Sequence, residues 1–157
     1  MRYRDQLPRD VVIFLDFDGV LRSRDSLDGD SFDPAAIARL TAIVRRTGAL
    51  VVISSSRRIG RTVEDLRRVL ASAGFPYPQR VVDKTSTRGA GPLGERRARG
   101  HQIQRWLDSH PGVRDFAILD DDADVAHLVD RLVRTNGDEG LQDEHVERVV
   151  EMLGGDR

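Results

Sequence analysis

Two aspartates that directly follow a short apolar run are the first residues whose types and spacing suggest chemistry. The run Val11–Leu15 is apolar at every position and leads into Asp16, Phe17, Asp18 and Gly19. A continuous apolar run predicts a strand buried on both faces, and side chains two residues apart lie on the same side of an extended chain. Two carboxylates are therefore predicted side by side at the carboxyl end of a central strand, where open α/β sheets form their ligand crevice. Such acids can serve as nucleophile, general acid or base, or metal ligands.

A second group of acids follows another apolar run. Residues 116–119 are apolar and are followed by Asp120, Asp121 and Asp122. Consecutive acids in one turn repel one another unless a cation lies close to them. Asp120 and Asp121, nearest the strand end, are the acids best placed to meet such a cation, and carboxylate oxygens suit a hard cation such as Mg²⁺. Asp122 is predicted to be a surface residue.

Hydroxyl and guanidinium groups follow a third apolar run. Residues 49–53 lead into Ser54, Ser55 and Ser56, and then into Arg57 and Arg58. The planar guanidinium fork pairs well with phosphate oxygens. The serines could alternatively form only a loop with local capping hydrogen bonds. Their position after a predicted buried strand favours phosphate binding.

The elements that must position these groups alternate along the chain. Apolar runs predict short strands over residues 11–15, 49–53, 81–82, 116–119 and 132–133. Apolar periodicity and capping residues predict helices from Asp33 to Gly48, from Thr62 to Gly74, from about Glu95 to Pro111 and over Asp143–Leu153. This alternation predicts a doubly wound α/β fold, a three-layer α/β/α sandwich around a parallel sheet of about five strands.

Length and composition limit the domain count and the class of protein. A single domain is predicted over residues 1–157, with strand one and its acidic loop at 10–19 and a flap or vestigial cap at 20–33. The chain contains no Cys, which excludes disulfides, thiolate metal sites and a Cys nucleophile. Its longest apolar run is too short to span a membrane and its first residues are polar, so we expect a cytoplasmic protein without a membrane partner. The formal net charge of −1 does not by itself indicate nucleic-acid binding.

The acidic, hydroxyl and basic groups stand in an order that is typical of one superfamily. The segments are Asp16-Phe17-Asp18-Gly19-Val20, Ser54, Arg99-Gly100-His101-Gln102-Ile103 and Asp120-Asp121-Asp122. They resemble the four motifs of the haloacid dehalogenase (HAD) superfamily of phosphatases and phosphotransferases, with Val20 in place of the commonest Thr. The ending LVRTNGDEGLQDEHVERVVEML resembles that of the HAD domain in Swiss Army knife RNA-repair proteins. Polynucleotide kinase–phosphatases carry a related phosphatase half.

The resemblance implies a HAD-like Rossmannoid sheet in the order 3-2-1-4-5, with no cap or a minimal one. It implies that Asp16 attacks phosphorus and that Asp18 protonates the leaving oxygen and then activates water. We expect Asp16 to be ionised at neutral pH, and the two nearby carboxylates to raise the pKa of one of them, which would suit the acid. Ser54, with Ser55 beside it, would hold phosphate oxygens through its hydroxyl and backbone N–H groups.

The resemblance also assigns the cations that would neutralise phosphate. Arg99 matches the basic residue of the third motif, and Arg96, Arg97 and Lys84 remain alternatives. Arg58 matches the Arg of a Ser-Ser-x-Trp-Arg segment found in similar proteins, and Arg57 stands where the Trp would be. Arg57 and Arg58 are both expected at the rim of the crevice, where they could contact further phosphates of a nucleic acid.

The ligands implied for Mg²⁺ are Asp16, the backbone carbonyl of Asp18, and Asp120 or Asp121, with phosphate completing the shell. Asp124 remains an alternative, because it follows Asp120 at the spacing of a common Asp-x-x-x-Asp variant.

The resulting hypothesis is a Mg²⁺-dependent phosphomonoesterase that forms an aspartyl-phosphate and acts on nucleic-acid ends, in association with other repair proteins. An open crevice with little cap favours a bulky substrate over a small metabolite. Two alternatives remain, a phosphatase for nucleotides or other small molecules and a non-catalytic phosphate-binding module. The second is disfavoured because a binding module has no use for carboxylates that repel phosphate.

Overall fold

The computed structural model describes residues 10–23, 25, 31–86 and 99–155 of the chain. Its strands are β1 (Val11–Leu15), β2 (Leu50–Ile53), β3 (Val81–Lys84), β4 (Asp115–Asp120) and β5 (Leu132–Arg134). Its α-helices are α1 (Pro34–Thr47), α2 (Val63–Ser72), α3 (Arg99–Asp108) and α4 (Asp143–Leu153). Short 3₁₀ turns cover Ser56–Arg58, Pro78–Arg80 and Ala126–Arg131. The predicted strands and helices are confirmed to within a few residues, except that the predicted start of the third helix at about Glu95 lies outside the described residues. Asp120 proves to be the last residue of its strand.

The five strands form one parallel sheet in the order β3-β2-β1-β4-β5. The predicted fold class and strand order are therefore confirmed. Strand β1 lies in the middle, where its five apolar residues are all buried and the sheet is covered on both faces. Strands β2 and β4 flank it, which brings the residues after all three strands to one edge.

Two apolar clusters cover the two faces of the sheet. Helices α1, α2 and α4 contribute to one cluster, through residues such as Leu40, Leu66 and Val149. Helix α3 and the 3₁₀ turn after β4 contribute to the other, through Ile103 and Leu128 among others. The result is the predicted three-layer arrangement, with α3 on the face opposite to the other α-helices.

Capping residues set the ends of the first helices. The side chain of Asp33 accepts a hydrogen bond from the Ala35 N–H, and Pro34 follows at the first helical position. Helix α1 ends at Gly48, whose φ of +69° is the left-handed conformation of a helix C-cap. Thr62 and Asp65 form a reciprocal capping box at the start of α2.

The segment predicted as a flap or vestigial cap, residues 20–33, begins inside the core. Val20 and Leu21 are fully buried, and Phe32 packs edge-on against Phe17. Residues 24 and 26–30 lie outside the described part of the chain, so a minimal cap there stays a prediction. Within the described ranges, no helix is long and apolar enough to cross a membrane.

Candidate active site

A row of polar residues crosses the sheet where its buried strands end. The register aligns Leu15 with Ile53 and with Leu119, so Asp16 stands between Ser54 and Asp120. Strand pairing continues into this row, since the Asp16 N–H donates to Leu119 O at 3.0 Å and the Ser54 N–H donates to Leu15 O at 3.0 Å. The predicted meeting of these side chains at one edge follows directly from the parallel pairing.

Three carboxylates converge in this row. Asp16, Asp120 and Asp121 each offer an oxygen, and these oxygens lie within 4.8 Å of one another. Asp16 is 5% exposed and Asp120 is fully buried. Hard divalent cations take carboxylate oxygens as ligands, so the donor set fits such an ion. These three side chains could therefore hold a metal.

Gly19 makes room for one of the three acids. A Cβ at this position would lie 2.4 Å from Cγ of Asp121, and the φ of +83° is one that side-chain-bearing residues rarely adopt. Any larger residue would push the Asp121 carboxylate away from the cluster. The Asp-x-Asp-Gly motif thus supplies space for an acid that lies far along the chain, after another strand.

The site raises the pKa of Asp16 to about 8. Burial is the largest cause, the negative charge of Asp120 adds to it, and the positive charge of Arg99 opposes it. Without a bound cation, the protein therefore favours the neutral form of Asp16 at neutral pH, and the expectation that Asp16 is already ionised is wrong. The acids that raise this pKa are Asp120 and, to a smaller extent, Asp121 at the end of the neighbouring strand, whereas the spacing in the sequence had suggested Asp18. A cation at the cluster would favour the ionised form of Asp16.

Arg99 is the cation that faces the acids. It is the first residue of α3 that the structure describes, and its Nη1 lies 2.6 Å from Oδ2 of Asp120 and 3.4 Å from Oδ2 of Asp16. Burial lowers the pKa of Arg99, but the charges of Asp16 and Asp120 outweigh burial and raise it. The guanidinium is therefore a fixed positive charge beside Asp16.

Gly100 allows the start of α3 to come this close. A Cβ at residue 100 would lie 2.2 Å from the carbonyl oxygen of Val125, in the loop after β4. Of the alternatives to Arg99, Lys84 donates from Nζ to the Arg61 carbonyl oxygen instead. Arg96 and Arg97 lie outside the described residues.

Asp18 takes a different position from Asp16. Its Oδ1 accepts a hydrogen bond from Nε of Arg22 at 2.7 Å, and its side chain is 29% exposed. Arg22 is itself buried, and its carbonyl oxygen accepts the Gly19 N–H at 2.8 Å. The side chain of Asp18 is thus directed by Arg22, which sequence reasoning missed. A metal contact through the Asp18 carbonyl stays a prediction.

Ser54 and Ser55 are both fully buried at the end of β2. Among the residues that the structure describes, no hydrogen-bond partner lies within reach of Ser54 Oγ. A buried hydroxyl without a partner costs free energy, so an oxyanion that accepted its proton would be stabilised there. This is the position predicted for phosphate binding.

Arg58 does not lie at the rim of the crevice, and that part of the prediction is wrong. It is 1% exposed, and its guanidinium donates to carbonyl oxygens of Ser54 and Ser55. The 3₁₀ turn Ser56–Arg58 directs the side chain back beneath the loop. The side chain of Arg57 is not among those that the structure describes.

The structure separates Asp124 from the acid cluster. Asp124 is exposed, and its N–H donates to Oδ1 of Asp122 at 2.9 Å, so the alternative ligand Asp124 lies outside the three-acid group.

Thr135, directly after β5, donates from Oγ1 to the Gly19 carbonyl oxygen at 2.6 Å. Its N–H also bonds the Asp120 carbonyl oxygen. A lone Thr after a short strand carries no sequence signal for this role.

Comparison with known proteins bears on this site as a whole. A family model described as the HAD domain in Swiss Army Knife RNA repair proteins matches residues 12–146, which include every site residue named above. The chain belongs to this family. The resemblance of the motifs to this HAD domain is thereby confirmed. No curated protein and no solved structure gives a significant match to the chain.

Membership of this HAD family accounts for the layout of the site. The end of β1 supplies Asp16, the serine loop (residues 54–56) supplies Ser54, the start of α3 supplies Arg99, and the end of β4 supplies Asp120 and Asp121. The family supports a phosphatase-type hydrolase.

Proposed function

We propose that this HAD domain is a Mg²⁺-dependent phosphomonoester hydrolase in which Asp16 carries the phosphoryl group. The observation that supports it is the placement of Asp16, a buried carboxylate at the end of the central strand. It stands between one fixed cation, Arg99, and two further acids, Asp120 and Asp121. A buried carboxylate among acids hinders simple phosphate binding, but it serves as a nucleophile once positive charge favours its ionised form.

In the first step, a carboxylate oxygen of Asp16 forms a bond to phosphorus while the bond from phosphorus to the leaving oxygen breaks. Asp18 gives its proton to that oxygen, which leaves as an alcohol. The hydrogen bond from Arg22 orients the Asp18 carboxyl group for this transfer. Ser54 Oγ and the N–H groups beside it hold phosphate oxygens, and Arg99 offsets their charge.

In the second step, water attacks phosphorus and Asp18 accepts its proton. The bond from phosphorus to the Asp16 oxygen breaks, which restores the carboxylate and releases inorganic phosphate. Asp16, Asp120 and Asp121 would hold Mg²⁺, which supplies positive charge against both the acids and the phosphate.

The proposed substrates are phosphorylated nucleic-acid ends. The matching family is described from RNA repair proteins, which supports a polynucleotide substrate. Association with other repair proteins is a further part of the proposal. Each backbone phosphate that the protein contacts releases counterions, so binding to an oligonucleotide weakens steeply as salt rises. A small phosphate ester makes fewer such contacts.

Turnover should be measured with an aryl phosphate, mononucleotides, and 3′- and 5′-phosphorylated RNA and DNA oligonucleotides, in Mg²⁺ and in EDTA. We expect release of phosphate in Mg²⁺ only. Asp16→Asn should lower kcat by roughly a thousandfold or more while circular dichroism stays unchanged. Asp124→Asn is the matched control, because Asp124 is exposed and lies outside the acid cluster, and it should retain activity within about twofold. Wild-type turnover in Asp16→Asn, or full activity in EDTA, would refute the mechanism.

The same panel tests the substrate class. Activity on the oligonucleotide ends should fall more steeply with salt than activity on the aryl phosphate. Equal salt slopes together with higher kcat/KM on mononucleotides would instead assign the enzyme to small-molecule phosphatases.

A further inference from the structure

A buried guanidinium lies directly beneath the serine loop. Nη1 of Arg58 donates to the carbonyl oxygens of Ser54 at 3.1 Å and Ser55 at 2.7 Å. Nε donates to the carbonyl oxygen of Thr85 at 2.9 Å, and Nη2 donates to Oε1 of Gln102 at 2.7 Å. One side chain therefore joins the end of β2, the end of β3 and helix α3.

The contacts of Arg58 set the direction of two peptide groups. A trans peptide is planar, so its N–H points away from the side on which its C=O lies. Because the carbonyls of Ser54 and Ser55 point down to the guanidinium, the N–H groups of Ser55 and Ser56 point to the opposite side of the loop. Backbone N–H groups with this common direction form a concavity suited to anions.

Gln102 connects this loop to the helix that carries Arg99. Residues 99, 102 and 106 are spaced by three and four positions and so lie on one face of α3. Arg99 contacts the acids, Gln102 contacts Arg58, and Trp106 Nε1 donates to Oδ2 of Asp83 at 2.8 Å. Because Arg58 only donates, the amide of Gln102 must turn its oxygen towards it.

We propose that Arg58 and Gln102 are positioning residues. They orient the phosphate-binding N–H groups and fix the position of the serine loop relative to Arg99. The proposal rests on the proposed function, because it assigns these residues to the phosphate-binding part of the same site. Neither residue contacts the reacting atoms. Their effect reaches the phosphate through the peptides of Ser54 and Ser55, and through α3.

The decisive variant is Gln102→Met, which keeps the volume and removes the acceptor for Arg58. Its control is Trp106→Phe, which removes a hydrogen bond of similar length that joins the same helix to β3 and not to the serine loop. Binding of inorganic phosphate in Mg²⁺ should be measured by calorimetry, together with KM and kcat on an aryl phosphate. We expect Gln102→Met to raise the phosphate Kd and KM about tenfold, the effect of losing one charge-assisted hydrogen bond, with kcat within about twofold. Trp106→Phe should leave all three within about twofold, although both variants lower the melting temperature.

A double-variant comparison tests whether the two residues act as a pair. Arg58→Lys keeps the charge but loses the guanidinium fork. In this background Gln102→Met should weaken phosphate binding by no more than about twofold. A full tenfold loss of phosphate affinity in that background would show that Gln102 acts independently of Arg58, and would refute the claim that the two residues act as a pair. If Arg58→Lys does not fold, the comparison of Gln102→Met with Trp106→Phe still decides.

The outcomes separate this inference from the hydrolase proposal. Equal phosphate affinity in Gln102→Met and Trp106→Phe, with turnover by the wild type, would refute the positioning role and leave the hydrolase intact. Weaker phosphate binding in Gln102→Met, with no turnover of any ester by the wild type, would support the positioning role and refute the hydrolase.

Discussion

Replacing Asp16 with Asn should stabilise the protein in chelator, and increasingly so as pH rises. The pKa of Asp16 is raised from 3.8 to about 8, with burial as the main cause. Between these values the folded protein binds a proton at Asp16 that the unfolded chain has released. Stability therefore falls as pH rises, because the unfolded state binds fewer protons than the folded state. The amide side chain of the Asp16→Asn variant carries no charge at any pH, so the substitution would remove this dependence.

The magnitude follows from the size of the pKa shift. Each pH unit between the two pKa values changes the free energy of unfolding by about 1.4 kcal/mol. Between pH 5 and pH 7 the wild type should lose about 3 kcal/mol relative to Asp16→Asn. Burial also lowers the pKa of His145, which makes stability rise with pH as that group titrates. This opposite contribution is common to both proteins and cancels in their difference.

Urea unfolding in EDTA, at half-unit steps from pH 5 to pH 8, measures the two profiles. The free energies should diverge steadily, with Asp16→Asn the more stable protein at neutral pH. Saturating Mg²⁺ should reduce the wild-type slope, since a cation favours the ionised carboxylate. A constant difference between the two proteins from pH 5 to pH 7 would refute the reasoning, because Asp16 would then be ionised throughout.

Three further predictions concern the framework of the site. Asp121→Asn should weaken Mg²⁺ binding, measured from the Mg²⁺ dependence of activity, by roughly 10- to 100-fold or more, because loss of a residue that only orients a metal ligand already weakens binding by that much. Unchanged affinity would remove Asp121 from the ligand set. Gly100→Ala should destabilise the protein by about 2 kcal/mol in urea and lower activity, since its Cβ would lie 2.2 Å from Val125 O and would displace the start of α3. Thr135→Val should cost about 1–2 kcal/mol by removing the donor to the Gly19 carbonyl; thermal unfolding equal to wild type would contradict this.

The fold was predictable because its signals are local. Continuous apolar runs such as Val11–Leu15 mark strands buried on both faces, and residues such as Asp33 and Gly48 mark helix ends through their own short-range hydrogen bonds. Polar residues that interrupt these runs must then meet at the edge of a parallel sheet. For this reason the approach of Asp16, Ser54 and Asp120 could be predicted with no knowledge of distances.

Motifs and periodicity were enough to predict the family, the order of the strands and the candidate residues of the site. How those residues are used depends on contacts between distant parts of the chain. Arg58 and Gln102 are 44 positions apart and Arg99 and Asp16 are 83 positions apart, so nothing local shows that one arginine supports the serine loop while the other faces the acids. The raised pKa of Asp16 has the same origin, because burial and the charges of distant residues exist only once the chain has folded.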